Sequence, residues 1–531
     1  MNRSRPTAQA LILLILLGIG AVAAFSPSNS RGWLLAANTA QLAAWVCGIS
    51  VPLGTLLALV LARTDVPGRR AFLLALSWLL FLPLYLQVGA WQAGFGLQGW
   101  QTLSGFGPPW LDGWRGAVWV HAAAAIPWVV LIVSIGLRNV RPELEESALL
   151  DASAWHVFYR VTLRHAAPLV VAATLWVAIG VAGEIAVTDL FQIRTYAEEL
   201  YTEMAIGAAP HEAPLRALPG IAITAWAALA GIFIIARFAP RERQVSIRPR
   251  LIFLFGVWRW PLAVLMACAV LLLVGLPLVN LAWKCGVVVV QSTEGRERHW
   301  SLLKGASIVA SSPLRFGREI RSSLVVGSVA ATATVVLATM LAWSSRCRST
   351  ASAILISVIV LGLAVPGPVI GLCIIWMFNT PHWNWAHTLY DRTILPPVCA
   401  QTIRALPLAC LVLWHAFHTL PTSLMEAAAL DGANAWTTFR RVALPQRRFT
   451  ILISWWVALA VAVGEMGATI LVTPPGIEPL SVRISGLLHY GVEDQVAGIC
   501  LALALAFIVL SALLVLLANR WTRTAGSQDR H

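Results

Sequence analysis

Lysine is nearly absent from this chain. Only Lys284 and Lys304 occur among 531 residues, and neither stands in the GxxxxGK[ST] pattern of a phosphate-binding loop. The HExxH and nucleophile-elbow patterns are missing as well. The sequence therefore predicts no catalytic residues, no enzyme activity and no cofactor bound by this chain.

Charge of either sign is scarce. Charged residues make up 12% of the chain, and its mean hydropathy is +0.76, whereas soluble domains carry about 25% charged residues. The net charge is +14, and the positive residues lie in short clusters between apolar runs. Cationic loops of this kind orient the spans of membrane proteins. These features predict an integral protein of the lipid bilayer and argue against nucleic acid as a partner.

Paired cysteines are also missing. The eight cysteines show no CxxC spacing, and most lie in apolar segments. They read as small core residues, which predicts neither a disulfide framework nor a metal site. The five inside apolar segments are Cys47, Cys268, Cys373, Cys410 and Cys500.

Long apolar runs dominate what remains. A helical span needs roughly 20 apolar residues, and twelve such runs are present, centred on 8–26, 34–62, 71–95, 116–137, 167–190, 217–239, 260–283, 322–343, 352–377, 398–418, 450–473 and 495–518. The first resembles a signal peptide, but "SPSNSRG" is a poor cleavage site, so an uncleaved span is expected. Pro83 is expected to break the third span, and Pro366 and Pro368 the ninth, either to line a cavity or as a kink for packing. Arginine-rich loops place both termini in the cytoplasm.

The chain is an internal duplication. Pro127 precedes Glu146 by the same 19 residues that separate Pro407 from Glu426, and "GEIAVT" (183–188) is answered by "GEMGAT" (464–469). We predict an all-α polytopic membrane protein of about twelve transmembrane helices in two parallel six-helix repeats. The repeats are 1–240 and 260–531, joined by a cytoplasmic linker, 241–259.

One charged, alanine-rich stretch interrupts the apolar runs of each repeat. In the second, "MEAAALDGANAWTTFRRVALP" (425–445), we expect a short helix capped by Ser423, a turn at Gly432 with positive φ, and a second helix stopped by Pro445. Trp436, Phe439 and Val442 form an apolar stripe, interpreted chiefly as packing against the chain's own spans.

This stretch resembles the EAA loop of ABC-importer permeases, and both copies follow the fourth span of six, as in type I importers. We name 142–165 and 421–446 the first and second EAA segments. The resemblance implies an inner-membrane permease whose EAA segments dock two copies of a cytoplasmic ABC ATPase, which binds the ATP, while a periplasmic substrate-binding protein delivers the cargo. The residues carried over to ATPase coupling are Glu146, Ala148, Asp151, Glu426, Ala427, Ala428, Asp431 and Gly432. The glutamates and aspartates have an alternative role as helix or turn caps.

The first copy departs from the pattern. Ala152 replaces the glycine, Arg164 replaces the proline, and the copy is one residue shorter between Asp151 and Trp155. Counting back from Asp151 equates Glu146 with Glu426, whereas counting back from Trp155 selects Glu145. Its turn must therefore differ, and its docking is expected to be weaker or asymmetric.

Glu184 and Glu465 are predicted inside the fifth and eleventh spans at equivalent repeat positions. An intramembrane carboxylate is costly, so it usually faces a cavity or a partner. Lining the translocation pathway is one interpretation, and a hydrogen bond that fixes helix packing is the other.

The external stretches 188–207 and 472–491 resemble those of fused iron(III) permeases. Permeases for thiamine, sulfate, molybdate, phosphonates and polyamines remain alternatives, as do a proton-coupled secondary transporter and a membrane enzyme or scaffold. Residues in these stretches that could meet a hard cation, contact the binding protein or pack the loop are Tyr196, Glu198, Glu199, Tyr201, His489 and Tyr490.

Overall fold

The computed structural model describes residues 30–138, 140, 142–205, 213–238, 252–292, 295–379, 384–491 and 494–528. Nearly all of this is helix. The α-helices are Ser30–Arg63, Arg69–Leu79, Leu84–Phe95, Trp100–Leu103, Gly113–Arg138, Pro142–Asp151, Ala154–Val157, Leu163–Ala182, Ala186–Leu190, Tyr196–Ala205, Ala213–Phe238, Arg259–Val270, Leu276–Gly286, Leu302–Arg315, Gly317–Cys347, Ser349–Ala364, Gly367–Phe378, Asn384–Arg392, Leu395–His418, Thr422–Leu430, Ala435–Thr438, Leu444–Gly464, Thr469–Val472, Leu480–His489 and Asp494–Gln528. Three π-helical turns (Phe158–Thr162, Leu271–Gly275, Phe439–Ala443) and a 3₁₀ turn (Gly256–Trp258) join some of them.

The predicted spans have helical counterparts wherever the chain is described. Eight helices are long and apolar enough to cross a membrane, and two bent pairs raise the number to ten. The twelfth predicted span, 495–518, lies within the last helix, Asp494–Gln528. The first predicted span, 8–26, lies outside the described residues. The prediction of an all-α polytopic protein is confirmed.

Both proline breaks are confirmed. The third span bends by 102° between helix Arg69–Leu79 and the helical segment that begins at Leu84, just after Pro83. The ninth bends by 108° between Ser349–Ala364 and the helix that follows Pro366. Proline has no N–H to donate and disfavours the helical conformation at the residue before it, and the two helices end at Leu79 and Ala364, before these prolines.

A short antiparallel hairpin was not predicted. Strand Val287–Ser292 pairs with Gly295–Trp300, with Val287 opposite Trp300. Its first strand begins with four valines that continue the apolar run of the preceding span. Valine is enriched in strands, so the span ends at Gly286 although the apolar run continues.

The chain divides into two compact units, each built from segments of both predicted repeats. One comprises 1–48, 168–243 and 319–483, and the other 49–167, 244–318 and 484–531. In the first, fully buried alanines allow close helix packing; they are Ala331, Ala338, Ala342, Ala405 and Ala409. In the second, the buried Asn280 side chain donates to the Ala90 carbonyl at 3.2 Å. The boundaries 1–240, 241–259 and 260–531 describe the duplication and stay a prediction.

Candidate functional site

The second EAA segment begins with a helix that ends in a glycine turn. Helix Thr422–Leu430 is followed by Gly432 with φ of 75°, which confirms the predicted left-handed residue. The Gly432 N–H donates to the Ala429 carbonyl and the Ala433 N–H to the Ala428 carbonyl, both at 3.0 Å. This is the Schellman arrangement, which satisfies carbonyls that would otherwise lack partners at a helix end.

The predicted cap of this helix was wrong. The helix starts at Thr422, and its N-cap position is Pro421, with no side-chain capping bond. Ser423 therefore lies inside the first turn, because the helix starts at Thr422 and not at 424, where a Ser423 cap would place its start. Glu426 is exposed, so a capping box does not account for it.

A second capping residue starts the next helix. The Asn434 side chain accepts a hydrogen bond from the Thr437 N–H at 2.8 Å. This is the standard bond by which an asparagine caps the first turn of a helix. The segment therefore consists of a helix, a turn and a second helix with its own N-cap, and the order helix, turn, helix is the one that the sequence predicts.

Pro445 does not stop that second helix, and this prediction was wrong. The chain is helical from Ala435 to Gly464, because a π-helical turn lets the Leu444 N–H reach the Phe439 carbonyl just before Pro445, which has no N–H of its own. The first repeat has the same turn at Phe158–Thr162 although its equivalent residue is Arg164. The proline is therefore not required for the turn.

The first EAA segment ends its helix differently. Helix Pro142–Asp151 is followed by Ala152, whose N–H bonds to the Ala148 carbonyl at 3.0 Å. Gln192 is the one residue other than glycine with positive φ in the described parts of the chain, so Ala152 does not form a left-handed turn. The expectation of a different turn is confirmed.

Burial separates the two candidate glutamates of the first segment. Glu145 is completely buried, whereas Glu146 is exposed like Glu426, which lies 280 positions later. The register counted from Asp151 is therefore the one that matches exposure. In that register the equivalent of Glu145 is Met425.

Large apolar side chains are exposed at matching positions of both segments. Leu150 and Leu430 are 87% and 89% exposed, and Trp155 and Trp436 are 69% and 67% exposed. Single exposed apolar residues are ordinary, but here the same two residue types are exposed at equivalent positions of both segments. The interpretation of Trp436 as internal packing was wrong, while Phe439 is indeed buried. Sequence reasoning missed both leucines, although each directly precedes the aspartate in its copy.

The other carried-over residues border this exposed set. Asp151, Ala427, Asp431 and Gly432 are exposed, Ala148 is half-buried, and Ala428 is buried. Each EAA segment thus presents one carboxylate-bearing face next to exposed leucine and tryptophan side chains. Their role in coupling stays a prediction.

A buried ion pair ties the first segment to the end of the second span. Arg63 Nη1 donates to Glu145 Oε2 at 3.0 Å, with the two side chains 1% and 0% exposed. Thr162 Oγ1 donates to the other carboxylate oxygen at 2.7 Å. Arg63 Nη2 also donates to the Leu137 carbonyl. Four segments of chain therefore meet at one carboxylate and one guanidinium.

Aromatic packing replaces this ion pair in the second repeat. Trp343 lies 5.9 Å from the Phe417 ring and 5.2 Å from the Phe439 ring, between centroids. Arg346 donates to the Phe417 carbonyl, and its guanidinium lies 5.7 Å from the centre of the Trp343 ring. The second EAA segment is thus held by apolar and cation–π contacts.

Glu184 and Glu465 lie at helix breaks. The preceding helices end at Ala182 and Gly464, so Glu184 and Glu465 come after the fifth and eleventh spans, and their placement inside the spans was wrong. Each carboxylate accepts backbone N–H groups of the short helix that follows. The bonds are Ala186 N–H to Glu184 Oε1 at 2.6 Å, Val187 N–H to Glu184 Oε2 at 3.0 Å, Ala468 N–H to Glu465 Oε1 at 2.7 Å and Thr469 N–H to Glu465 Oε2 at 2.9 Å.

These two loops meet within one unit. Ile185 and Met466, each directly after its glutamate, share a buried apolar cluster. A Cβ on Gly367, in the broken ninth span, would lie 3.0 Å from the carbonyl carbon of Gly467. The close backbone approach requires glycine there, and it brings the proline break against the second carboxylate loop. Whether either carboxylate lines the pathway stays a prediction.

The external candidates form a partly buried charged group. Glu199 pairs with Arg31 and with Arg194, the latter at 3.3 Å. Burial raises the pKa of the neighbouring Glu198, whose carboxylate accepts from Thr202 Oγ1 at 2.7 Å. Tyr196 and Tyr201 are half-buried and His489 bonds to its own helix, while Tyr490 is 82% exposed. Across the described residues, no cluster of three or more His, Cys, Asp or Glu side chains is arranged to hold a metal.

Comparison with known proteins accounts for the duplication. The family model of the binding-protein-dependent transport system inner membrane component matches twice, at residues 50–244 and 334–524. The chain belongs to this family. It is therefore a multi-pass inner-membrane permease of the ABC-importer type, and the permeases to which it is similar are transporters rather than enzymes.

Individual relatives of the permease differ in cargo. The Fe(3+)-transport system permease protein FbpB 2 of Haemophilus influenzae is 22% identical over 85% of this chain and 83% of its own length. The molybdenum transport system permease ModB of the same organism is 32% identical over 27% of this chain, and the sulfate permease CysT of Escherichia coli is 34% identical over 22%. The matched segments span 64% of ModB and 44% of CysT.

Proposed function

We propose that this permease carries iron(III), released by a periplasmic binding protein, across the inner membrane when a separate cytoplasmic ATPase hydrolyses ATP. The observation that supports iron most is the length of the similarity to FbpB 2, which extends through both repeats. The molybdate and sulfate permeases match shorter parts of the chain.

The two EAA segments are the proposed docking sites for two ATPase subunits. Each presents exposed leucine and tryptophan side chains at equivalent positions beside an exposed glutamate. Exposed apolar side chains beside polar ones are a feature of protein interaction sites, and this supports a partner at both segments. In this proposal the EAA segments and both termini face the cytoplasm, in agreement with the distribution of arginine.

Glu184 and Glu465 are proposed to act at the pathway through the helix breaks that they cap. A trivalent cation cannot enter a dry apolar path, since transfer of charge to low dielectric is prohibitive. The contact between Ile185 and Met466 joins the two carboxylate loops, so a movement of one loop is transmitted to the other. We infer that opening between them admits water and the cation.

Molybdate is the second candidate, because the identity to ModB is higher within the matched part. Uptake in cells decides between the cargoes. The gene is deleted and restored, and uptake of radioactive iron(III), molybdate and sulfate is measured at low external concentration. Iron uptake is expected to fall on deletion and return on restoration. Loss of molybdate uptake alone would assign the oxyanion and overturn the iron proposal.

A further inference from the structure

The first EAA segment lacks the Schellman turn that closes the second, yet it carries a buried charged residue that the second lacks. Glu145 uses both carboxylate oxygens, one toward Arg63 at 3.0 Å and one toward Thr162 at 2.7 Å. Burial of a carboxylate costs less when its charge is paired and its oxygens are hydrogen-bonded. Here both conditions are met entirely by this chain.

The equivalent positions in the second repeat are all apolar. With an offset of 280 residues between the repeats, Arg63 corresponds to Trp343 and Glu145 to Met425. With the offset of 281 that applies after the one-residue deletion, Thr162 corresponds to Ala443. Trp343 packs in the aromatic cluster, and Ala443 is completely buried. One location in the fold is therefore filled by a charged network in one repeat and by apolar side chains in the other.

We propose that the Arg63–Glu145–Thr162 network is a positioning device that holds the first EAA segment in place for its ATPase. It does for this segment what the Gly432 turn and the aromatic cluster do for the second. The proposal rests on the docking role given to the EAA segments above.

The connections of the network explain why it fixes orientation. Arg63 ends the second span, and Thr162 lies in the π-helical turn that leads into the fifth. Arg63 also bonds to the carbonyl of Leu137, near the end of the fourth-span helix. Glu145 joins all three to the EAA helix. Hydrogen bonds are directional, so this network specifies the angle of the helix more narrowly than apolar packing alone.

Exposure makes Glu145 distinct from its neighbour. Glu145 is buried and points into the chain, while Glu146 is exposed on the face next to Leu150. The two consecutive glutamates thus have different roles in this proposal. Glu145 fixes the orientation of the EAA helix, and Glu146 faces the proposed partner. Glu145 is completely buried, so it offers no oxygen for a direct ATPase contact.

Hydrogen exchange on the purified permease in lipid nanodiscs tests this without an ATPase. The variants are Glu145→Gln, Thr162→Val and the triple exchange Arg63→Trp, Glu145→Met, Thr162→Ala, which copies the second repeat. Glu146→Gln is the matched control. We expect Glu145→Gln to raise exchange about tenfold in peptides from 142–157, since the opening of this segment then costs less. Peptides from 421–437 should not change.

The triple exchange is expected to restore protection and ferric uptake together, because it removes the charge and supplies the apolar side chains of the second repeat. Thr162→Val removes one bond and leaves the ion pair, so it should give a smaller, local effect. If Glu145→Gln does not yield folded protein, the triple exchange and Thr162→Val carry the comparison.

Unchanged exchange in Glu145→Gln and Thr162→Val would overturn the proposal. Equal acceleration in both EAA segments would overturn it as well, since the effect would then be global destabilisation. An effect of Glu146→Gln as large as that of Glu145→Gln would do the same. Local acceleration with full uptake would support the positioning role but count against docking of the first segment.

Discussion

Arg63 and Arg346 each bind a backbone carbonyl at the end of the fourth span of their own repeat. The two arginines are not at equivalent positions, because the repeat equivalent of Arg63 is Trp343, three residues before Arg346. Arg63 donates to the Leu137 carbonyl and Arg346 to the carbonyl of Phe417, its repeat equivalent. A cation at a helix C-terminus donates hydrogen bonds to the last backbone carbonyls and interacts favourably with the negative end of the helix dipole. Moving the arginine by about one turn frees position 343 for the tryptophan of the aromatic cluster.

Breaking the ion pair should lower the unfolding free energy more than the turn variant Gly432→Ala does. We predict that Arg63→Gln lowers the unfolding free energy by about 3–5 kcal/mol, because Glu145 is left buried without its cation. Thermal unfolding in nanodiscs measures the loss. Arg160→Gln, an exposed arginine in the same repeat, is the control. A loss below 1 kcal/mol, roughly that of a surface ion pair, would contradict the prediction.

Gly432→Ala should strain the second EAA turn. At φ of 75° a Cβ costs about 1–2 kcal/mol, while no neighbouring atom lies within 4 Å to add a clash. We expect faster hydrogen exchange confined to 421–437 and reduced uptake. Ala152→Gly, at a position without positive φ, should change exchange in its own segment by less. An equal response of the two segments would show that the left-handed turn has no special role.

Substitution of the exposed leucines should separate docking from folding. Leu150 and Leu430 are at least 87% exposed. Their replacement by aspartate should therefore change the unfolding free energy by less than about 0.5 kcal/mol. Uptake should nevertheless fall at least tenfold in the double variant, because charge is placed at the proposed ATPase contact. Leu97→Asp, 73% exposed and outside the EAA segments, is the matched control. Normal uptake in the double variant would remove the leucines from the contact.

The two capping glutamates should affect transport more than assembly. Glu184→Gln combined with Glu465→Gln replaces one acceptor oxygen of each carboxylate by a donor, which weakens two of the four capping bonds. We expect impaired ferric uptake per folded permease, with the ATPase complex retained. Glu478→Gln, which alters a half-exposed pair with Arg483, is the control. Undiminished uptake in the double variant would exclude a pathway role.

Glu198 should make the external face sensitive to pH. Burial raises its pKa, so the folded state binds more protons than the unfolded state between the ordinary and the raised value. The unfolding free energy therefore falls as pH rises through that interval. We expect Glu198→Gln to flatten the dependence of the unfolding temperature on pH above the ordinary glutamate pKa of about 4.3. Glu203→Gln is the control, and the same slope in Glu198→Gln and wild type would refute the expectation.

Sequence alone determined the membrane class and the helical spans of the described residues, and it predicted the EAA segments that are proposed here to dock the ATPase. Apolar runs of span length admit only helices in a bilayer, because each backbone polar group must be satisfied within its own segment. The breaks at Pro83 and Pro366 and the left-handed Gly432 follow from constraints on single residues. The register of the two EAA copies was left open between Glu145 and Glu146, since a one-residue deletion can be counted from either side.

Only the tertiary structure decided which glutamate is buried, because burial depends on Arg63 and Thr162, distant in the chain. It also showed that the helices end before Glu184 and Glu465, where hydropathy continues across the break and does not mark it. The helical path through Pro445 depends on a π-helical turn that leaves no signal in residue type, since Arg164 occupies the same place in the first repeat. The types of neighbouring residues thus predict helices and turns. Contacts between residues distant in the chain decide which of the two EAA segments contains a buried charged residue.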